Sequence, residues 1–352
     1  MWLTLRVRSG RRSVAATAAL AFVFCVSELR ASADVFTDDA VLELALSAPL
    51  SAVFRARQNP EYQPATLAYR NAAGDDVTVP LRVRVRGKSR AAVCSFPPLL
   101  LNFRTGDLAG TLLEGEDRLK LVTHCDARDS YDDYVLLEYL AYRVLNLLTP
   151  QSLRARLVTV SYTDSGRERD LGTRRGVLLE DEERFAERQG WTMFEGPAVE
   201  RAQYEPEALA LLDVFQYLIG NTDWSAFAGP RGEDCCHNVV PYVRADGTFV
   251  PVAYDFDASG IVNPQHAAPD QRLPIRNVRQ RLYRGRCRAP AELAPNFARF
   301  EQQKSSIVAL FDESQGLDAE VAARARAYVE DFFAVLGDEE RRQKAFFDVC
   351  DN

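Results

Sequence analysis

A change of hydrophobic period partway along the chain restricts its fold more than any other feature. At 77–86, Val77, Val79, Leu81, Val83 and Val85 alternate with polar residues, the two-residue repeat of a half-buried strand. Residues 99–103 and 118–123 read as two short strands. Residues 132–148 then carry Val135, Leu136, Leu137, Tyr139, Leu140, Tyr142, Val144 and Leu145 around nearly the whole helical wheel, the mark of a buried helix. Asp132 and Asp133 suit its start, where the helix dipole favours acid, and Thr149-Pro150 ends it. Residues 156–162 and 175–180 give two further strands. Beyond them the period becomes mainly helical. Glu205-Pro206 opens a helix that Gly220-Asn221 stops, and a hairpin follows at 237–243 and 248–254, turning at Ala245-Asp246-Gly247. Three helices fill 291–349. A strand-rich part at 34–180 with one helix, then a mainly helical part at 181–352, is an α+β arrangement.

The first 33 residues read as a cleavable export signal. Arg6, Arg8, Arg11 and Arg12 precede an uncharged apolar run at 14–26, and Ala31-Ser32-Ala33 is a small-x-small cleavage site that would leave Asp34 as the new N-terminus. The run is too short for a permanent bilayer span, and no later stretch suits one, so no stable membrane span is expected after cleavage. The expected location is periplasmic or extracellular. The net charge of the whole chain is −7, and loss of five Arg and one Glu with residues 1–33 makes it −11, a poor balance for binding nucleic acid. Removal of Cys25 leaves Cys94, Cys125, Cys235, Cys236, Cys287 and Cys350, an even set that reads as disulfides in an exported chain. The pairing expected is Cys94 with Cys125, and the adjacent Cys235 and Cys236 each with Cys287 or Cys350.

The residues suited to chemistry fall in a definite order. Lys120 is one of four lysines after residue 33 and lies in the apolar strand Arg118-Leu119-Lys120-Leu121-Val122; its compact ammonium suits a phosphate or a single carboxylate. Glu138 sits within the buried helix and needs a cationic partner, with Lys120 and Arg143 as candidates. Asp223 follows a helix, Asn238 begins a hairpin and Asp255 ends it within Tyr254-Asp255-Phe256-Asp257. Two carboxylates and an amide are hard oxygen ligands suited to Mg²⁺ or Mn²⁺. Turn formation alone also explains an isolated Asp223 or Asp255. Arg276, Arg279, Arg281, Arg284 and Arg286 form a basic stretch, readable as a solvated face or as a site for an acidic partner.

Strand lysine, helix glutamate, loop aspartate, asparagine and Asp-Phe-Asp, in that order, resemble the protein-kinase-like family, in particular CotH-type spore-coat kinases and HipA-like kinases. Val85-Arg86-Gly87-Lys88-Ser89 is similar to a stretch near the start of CotH-type domains. The resemblance implies a bilobal protein-kinase-like fold, with a strand-rich N-lobe containing one helix and a mainly helical C-lobe. It implies that Lys120 contacts nucleotide phosphates while Glu138 holds Lys120. Leu179, Glu180 and Asp181 would lie beside the adenine, Asp223 would be the catalytic base, and Asn238 and Asp255 would bind the metal. The implied activity is an exported phosphotransferase that uses ATP or another nucleotide with Mg²⁺ or Mn²⁺ on a protein or envelope hydroxyl. A catalytically inactive pseudokinase-type binding module is the alternative, because no glycine-rich phosphate loop is present and the chain is expected to be exported; residues 226–236 also separate Asp223 from Asn238, a departure from the family pattern. A metal-dependent hydrolase using Asp223 and Asp255 is a further one.

Overall fold

Alternation of buried and exposed residues in the strands provides an inner apolar face, and that face closes on itself. A computed structural model describes residues 1–3, 34–312 and 316–350; the proposed signal and Cys25 lie outside these apart from residues 1–3. The account below concerns the unit Ser32–Asn352. Its first seven strands are β1 (Leu42–Ala48), β2 (Gln63–Arg70), β3 (Asp76–Val85), β4 (Leu99–Phe103), β5 (Arg118–Val122), β6 (Ala155–Asp164) and β7 (Arg169–Leu179). They form a closed barrel in the order β1-β2-β3-β4-β5-β7-β6. Neighbours are antiparallel except for β1 and β6, which run parallel from Leu42↔Val158 to Ala48↔Asp164 and join the barrel's ends. Leu44, Leu46, Val79, Leu81, Leu101, Leu119, Val160 and Tyr162 share the buried cluster that fills it. Closure removes the bare edges that an open sheet presents.

A three-stranded sheet comprises β8 (Thr192–Met193), β9 (Val239–Val243) and β10 (Phe249–Ala253), with β9 central. The helices are α1 (Leu50–Arg55), α2 (Ser89–Val93), α3 (Ser130–Leu148), α4 (Glu182–Gln189), α5 (Pro206–Ile219), α6 (Pro290–Asp312), α7 (Ala319–Gly337) and α8 (Glu339–Phe346). Helix α3 packs against β6 and β7 on one side and α6 on another, so its apolar residues are buried nearly all round, as its sequence requires. Helix α5 begins with Pro206 and is stopped by Gly220 at φ 66°, where an added Cβ would meet the Tyr328 hydroxyl and the Gly260 backbone. Among the described residues no helix is long and apolar enough to cross a membrane.

The expected bilobal, protein-kinase-like fold is incorrect. Seven strands with mixed direction close into a barrel, the N-terminal half carries α1 and α2 as well as α3, and a second small sheet accompanies the later helices. Parallel pairing of β1 with β6 produces the difference, because it turns an open strand-rich lobe into a closed one. The cysteine expectation also changes. Cys94 pairs with Cys125 as expected, but Cys235 pairs with Cys236 and Cys287 with Cys350.

Candidate functional site

Two helical turns of α3 organise one half of the site. Glu138 and Tyr142 are four residues apart and therefore lie on one face of the helix. The buried Glu138 carboxylate accepts from Arg90 Nη2 at 3.0 and 3.1 Å, while the Tyr142 hydroxyl accepts the Asp255 N–H at 2.9 Å. Asp255 follows β10 at φ 61°, a left-handed conformation unusual for a side chain larger than glycine, and the Tyr142 hydrogen bond helps to fix it. Arg90 Nη2 also donates to Asp255 Oδ1 at 2.7 Å, and its Nε lies 2.6 Å from Asp257 Oδ2. One guanidinium from α2 thus joins carboxyl groups from α3 and from the segment after β10.

The electrostatics of this cluster are set by burial against Arg90. Burial raises Asp257 to about 8, opposed by Arg90 and reinforced by the charges of Asp255 and Glu138. Burial thus favours the protonated form of Asp257, which hydrogen-bonds Asp255. Burial also opposes ionisation of Asp255, but the positive charges of Arg90 and Arg86, with hydrogen bonds from Arg90 and Asp257, together hold this carboxyl below its usual range.

The second half forms where α5 ends. Asn221 Oδ1 accepts the Asp223 N–H at 2.9 Å, an Asx turn that directs the chain out of the helix. Ser225 and His237 exchange backbone hydrogen bonds at 2.9 and 3.1 Å, which closes the base of the 226–236 insert and brings the next residues back to Asp223. His237 Nε2 is 2.7 Å from Asp223 Oδ1, and Asn238 Nδ2 donates to the Asp223 carbonyl at 2.7 Å and to Oδ2 at 3.3 Å. The hydrogen bond to Asp223 raises the His237 pKa, against burial. The antiparallel register Ala253↔Val239 continues beyond the strands, so the Tyr254 N–H reaches the Asn238 carbonyl at 3.1 Å and sets Asn238 beside the Asp255 segment. The charge of Asp223 is felt at Asp257, which links the two halves.

Lys120 lies elsewhere in this neighbourhood. It sits in β5 opposite Leu100 and Leu179 and forms an ion pair with Glu182, with its ammonium 5.3 Å from the Tyr254 ring centroid. Burial lowers its pKa to about 7; Arg86 and Arg118 push it the same way, and Asp181 and Asp255 oppose them. It borders a cavity of about 270 Å³ lined by Arg84, Arg86, Arg118, Asp181, Glu182 and Glu183 among others. The charge of Arg86 acts on Lys120, on Glu138 and on Asp255, so this cavity adjoins the carboxylate cluster.

The sequence-derived site residues are thus partly reunited. Asp223 and Asn238 touch, and Glu138 and Asp255 share Arg90. The expected Glu138–Lys120 pair does not form, because Arg90 reaches Glu138 first and Glu182 takes Lys120. Arg143, the other candidate, pairs with Asp39. Leu179 is buried at the end of β7. Glu180 is fully buried between Arg154 and Arg188, and Asp181 caps α4 and binds Arg118 at 3.0 Å. Among the late arginines, Arg281 lies 3.7 Å from the Tyr328 ring centroid and pairs with Asp331, and Arg284 donates to the Thr222 and Trp224 carbonyls, so these two serve packing and loop anchoring. Sequence reasoning missed Arg90 and His237. The demand of a buried Glu138 for a cation was the available signal for the first; His237 had none beyond its place before Asn238. Compared with known proteins, the chain matches no protein-family model and no curated protein.

Proposed function

We propose that this protein is a phosphotransferase that uses a nucleotide with Mg²⁺ or Mn²⁺ to phosphorylate a hydroxyl of a protein or envelope component. The observation that carries the proposal is the juxtaposition of a cavity lined by Lys120, Arg84, Arg86 and Arg118 together with Asp181, Glu182 and Glu183, a carboxylate cluster and an oriented Asp223. Basic side chains suit a polyphosphate, with lysine as a point charge and arginine as a planar fork. The order of these residues, which resembles CotH-type and HipA-like kinases, adds support. The proposal rests on the side chains and not on a kinase-like fold.

The oxygen donors Asn238, Asp255 and Asp257 fit a hard divalent cation in their chemistry. In this conformation the Arg90 guanidinium takes the position where the carboxylates converge, and among the described residues no group of three or more His, Cys, Asp or Glu side chains is arranged to hold a metal ion. Metal binding at these donors therefore requires Arg90 to withdraw. A divalent cation bound there would neutralise phosphate charge. Asp223 has its carboxylate set by His237 and Asn238 and would accept the proton of the acceptor hydroxyl. The acceptor oxygen would bond to the terminal phosphorus as the bond to the nucleoside diphosphate breaks. Lys120 and Arg86 would hold the leaving phosphates. Most of the rate gain in such a site comes from positioning and charge stabilisation.

One observation favours the second reading, a binding module without turnover: an internal cation, Arg90, already occupies the point where Glu138, Asp255 and Asp257 converge. ATP binding to the oxidised protein, with and without Mg²⁺ or Mn²⁺, separates the readings, alongside Asp255→Ala and Lys120→Ala. Metal-dependent binding, abolished in both variants, followed by phosphate transfer to an acceptor supports the phosphotransferase. Metal-independent binding without transfer supports the binding module. A folded wild type that binds no nucleotide overturns both.

A further inference from the structure

We propose that His237 is a phosphoryl-accepting nucleophile, with Asp223 as the carboxylate that orients its ring. The inference goes beyond transfer to a hydroxyl by naming an acceptor within the protein itself, and it rests on the phosphotransfer reading for its donor.

The chain has three histidines, His124, His237 and His266. Among the described residues only His237 has a carboxylate on its ring, with Nε2 2.7 Å from Asp223 Oδ1. A carboxylate can only accept, so Nε2 carries the proton and donates it to that bond. The neutral ring then holds its free lone pair at Nδ1, which no hydrogen bond from the described residues reaches. A nucleophile oriented by a hydrogen-bonded partner, itself held by a third group, is the arrangement that activates side chains for covalent chemistry. Here the third group is Asn238, whose Nδ2 donates to the Asp223 carbonyl at 2.7 Å and to Oδ2 at 3.3 Å. The His237 backbone is fixed by its paired hydrogen bonds with Ser225, while 36% of its side chain is exposed, so the ring is open to a ligand.

The phosphate-binding side chains are close. The Tyr254 N–H donates to the Asn238 carbonyl at 3.1 Å, and the Tyr254 ring centroid lies 5.3 Å from the ammonium of Lys120, which borders the cavity. One residue thus stands between the His237-Asn238 pair and the cation assigned to the leaving phosphates. In the step, Nδ1 bonds to the terminal phosphorus as the bond from that phosphorus to the bridging oxygen breaks. The electron pair leaves with the nucleoside diphosphate, and no proton moves. The ring becomes a phosphoimidazolium whose positive charge Asp223 stabilises through Nε2–H.

The other two histidines lack this support. His124 is buried, with its ring centroid 4.4 Å from that of Phe96. His266 is exposed and stacks on Tyr131. Exposure alone therefore favours reaction at His266, whereas pairing with Asp223 favours His237.

The test treats the oxidised protein with phosphoramidate, a phosphoryl donor for histidine that needs no nucleotide site, at about pH 8, where histidine is neutral. Labelled residues are identified by mass spectrometry in wild type, Asp223→Asn and His237→Gln. His237 should react about tenfold faster than His266, and about tenfold more slowly in Asp223→Asn than in wild type. A parallel incubation with ATP and Mn²⁺ should give an acid-labile, alkali-stable phosphate that is absent from His237→Gln. A His266 rate equal to or above that of His237, or a His237 rate unchanged in Asp223→Asn, overturns the proposal. The comparison of the two histidines in wild type decides alone if a variant does not fold. Labelling of His237 by phosphoramidate with none from ATP supports the nucleophile and counts against the nucleotide as its donor. An acid-stable phosphate from ATP with no label on His237 overturns the proposal and keeps the phosphotransfer reading.

Discussion

Replacing Arg90 by methionine keeps much of the aliphatic stem but removes the guanidinium that Glu138, Asp255 and Asp257 share. The Glu138 side chain is only 3% exposed, so water cannot take the place of the lost partner. Breaking a buried ion pair on one side costs about 3–5 kcal/mol. Protonation limits that cost. Burial raises Asp257 to about 8 and so favours its protonated form. Burial already raises Glu138 above the ordinary value of 4.5, against Arg90, and loss of Arg90 raises it further; neutralising it costs at most about 3.4 kcal/mol at pH 7 and about 0.7 kcal/mol at pH 5. The variant should therefore lose about 3 kcal/mol of unfolding free energy at pH 7, and about 2 kcal/mol less than that at pH 5. Urea denaturation of the disulfide-intact protein at both pH values measures the difference without adding salt. Adding Glu138→Gln to Arg90→Met should recover part of the loss at pH 7, since no buried charge then remains on α3. A loss that is the same at both pH values, or one below about 1 kcal/mol at pH 7, refutes the reasoning.

Two further outcomes follow from other contacts. Cys287 and Cys350 close a loop with a sequence separation of 63, so replacing both by serine should lower stability by about 4 kcal/mol in the chain-entropy limit, as read from the denaturation midpoint; an unchanged midpoint would show that the bond constrains nothing. His237 has a raised folded pKa because Asp223 accepts its hydrogen bond, so its contribution is complete below the unfolded value of 6.5 and is lost as the pH rises through the folded value. Unfolding free energy should therefore fall across that window in the wild type and stay flatter in Asp223→Asn, and parallel pH profiles would contradict the pairing.

Local rules of sequence account for much of the fold's inventory. Pro206 and Gly220 bound α5, the apolar residues of α3 mark it as buried, and the Ala245-Asp246-Gly247 turn joins β9 to β10. In each case the deciding atoms are a few residues apart. Barrel closure had no comparable signal, because the parallel register of β1 on β6 depends on partners separated by most of the N-terminal half. The same limit applies within the site. Asp223, Asn238 and Asp255 could be singled out from turn and hairpin boundaries. The partner of Glu138 could not, since Arg90 reaches it from another element, and both Lys120 and Arg143 were nearer in sequence. Adjacent cysteines were expected to diverge, yet Cys235 and Cys236 pair with each other while Cys287 and Cys350 form a separate pair.

The β1–β6 seam also imposes an order on assembly. As the chain is made, β1 can pair with β2 at once, but its other edge stays bare until the residues around Val158 to Asp164 have followed. A contact of such long sequence separation forms slowly because its loop-closure entropy is lost before the pairing energy is gained. During that interval the edge of β1 is open to pairing with another chain. A chain ending before β6 would leave the sheet permanently open, so truncation there should produce an aggregating species instead of a smaller barrel.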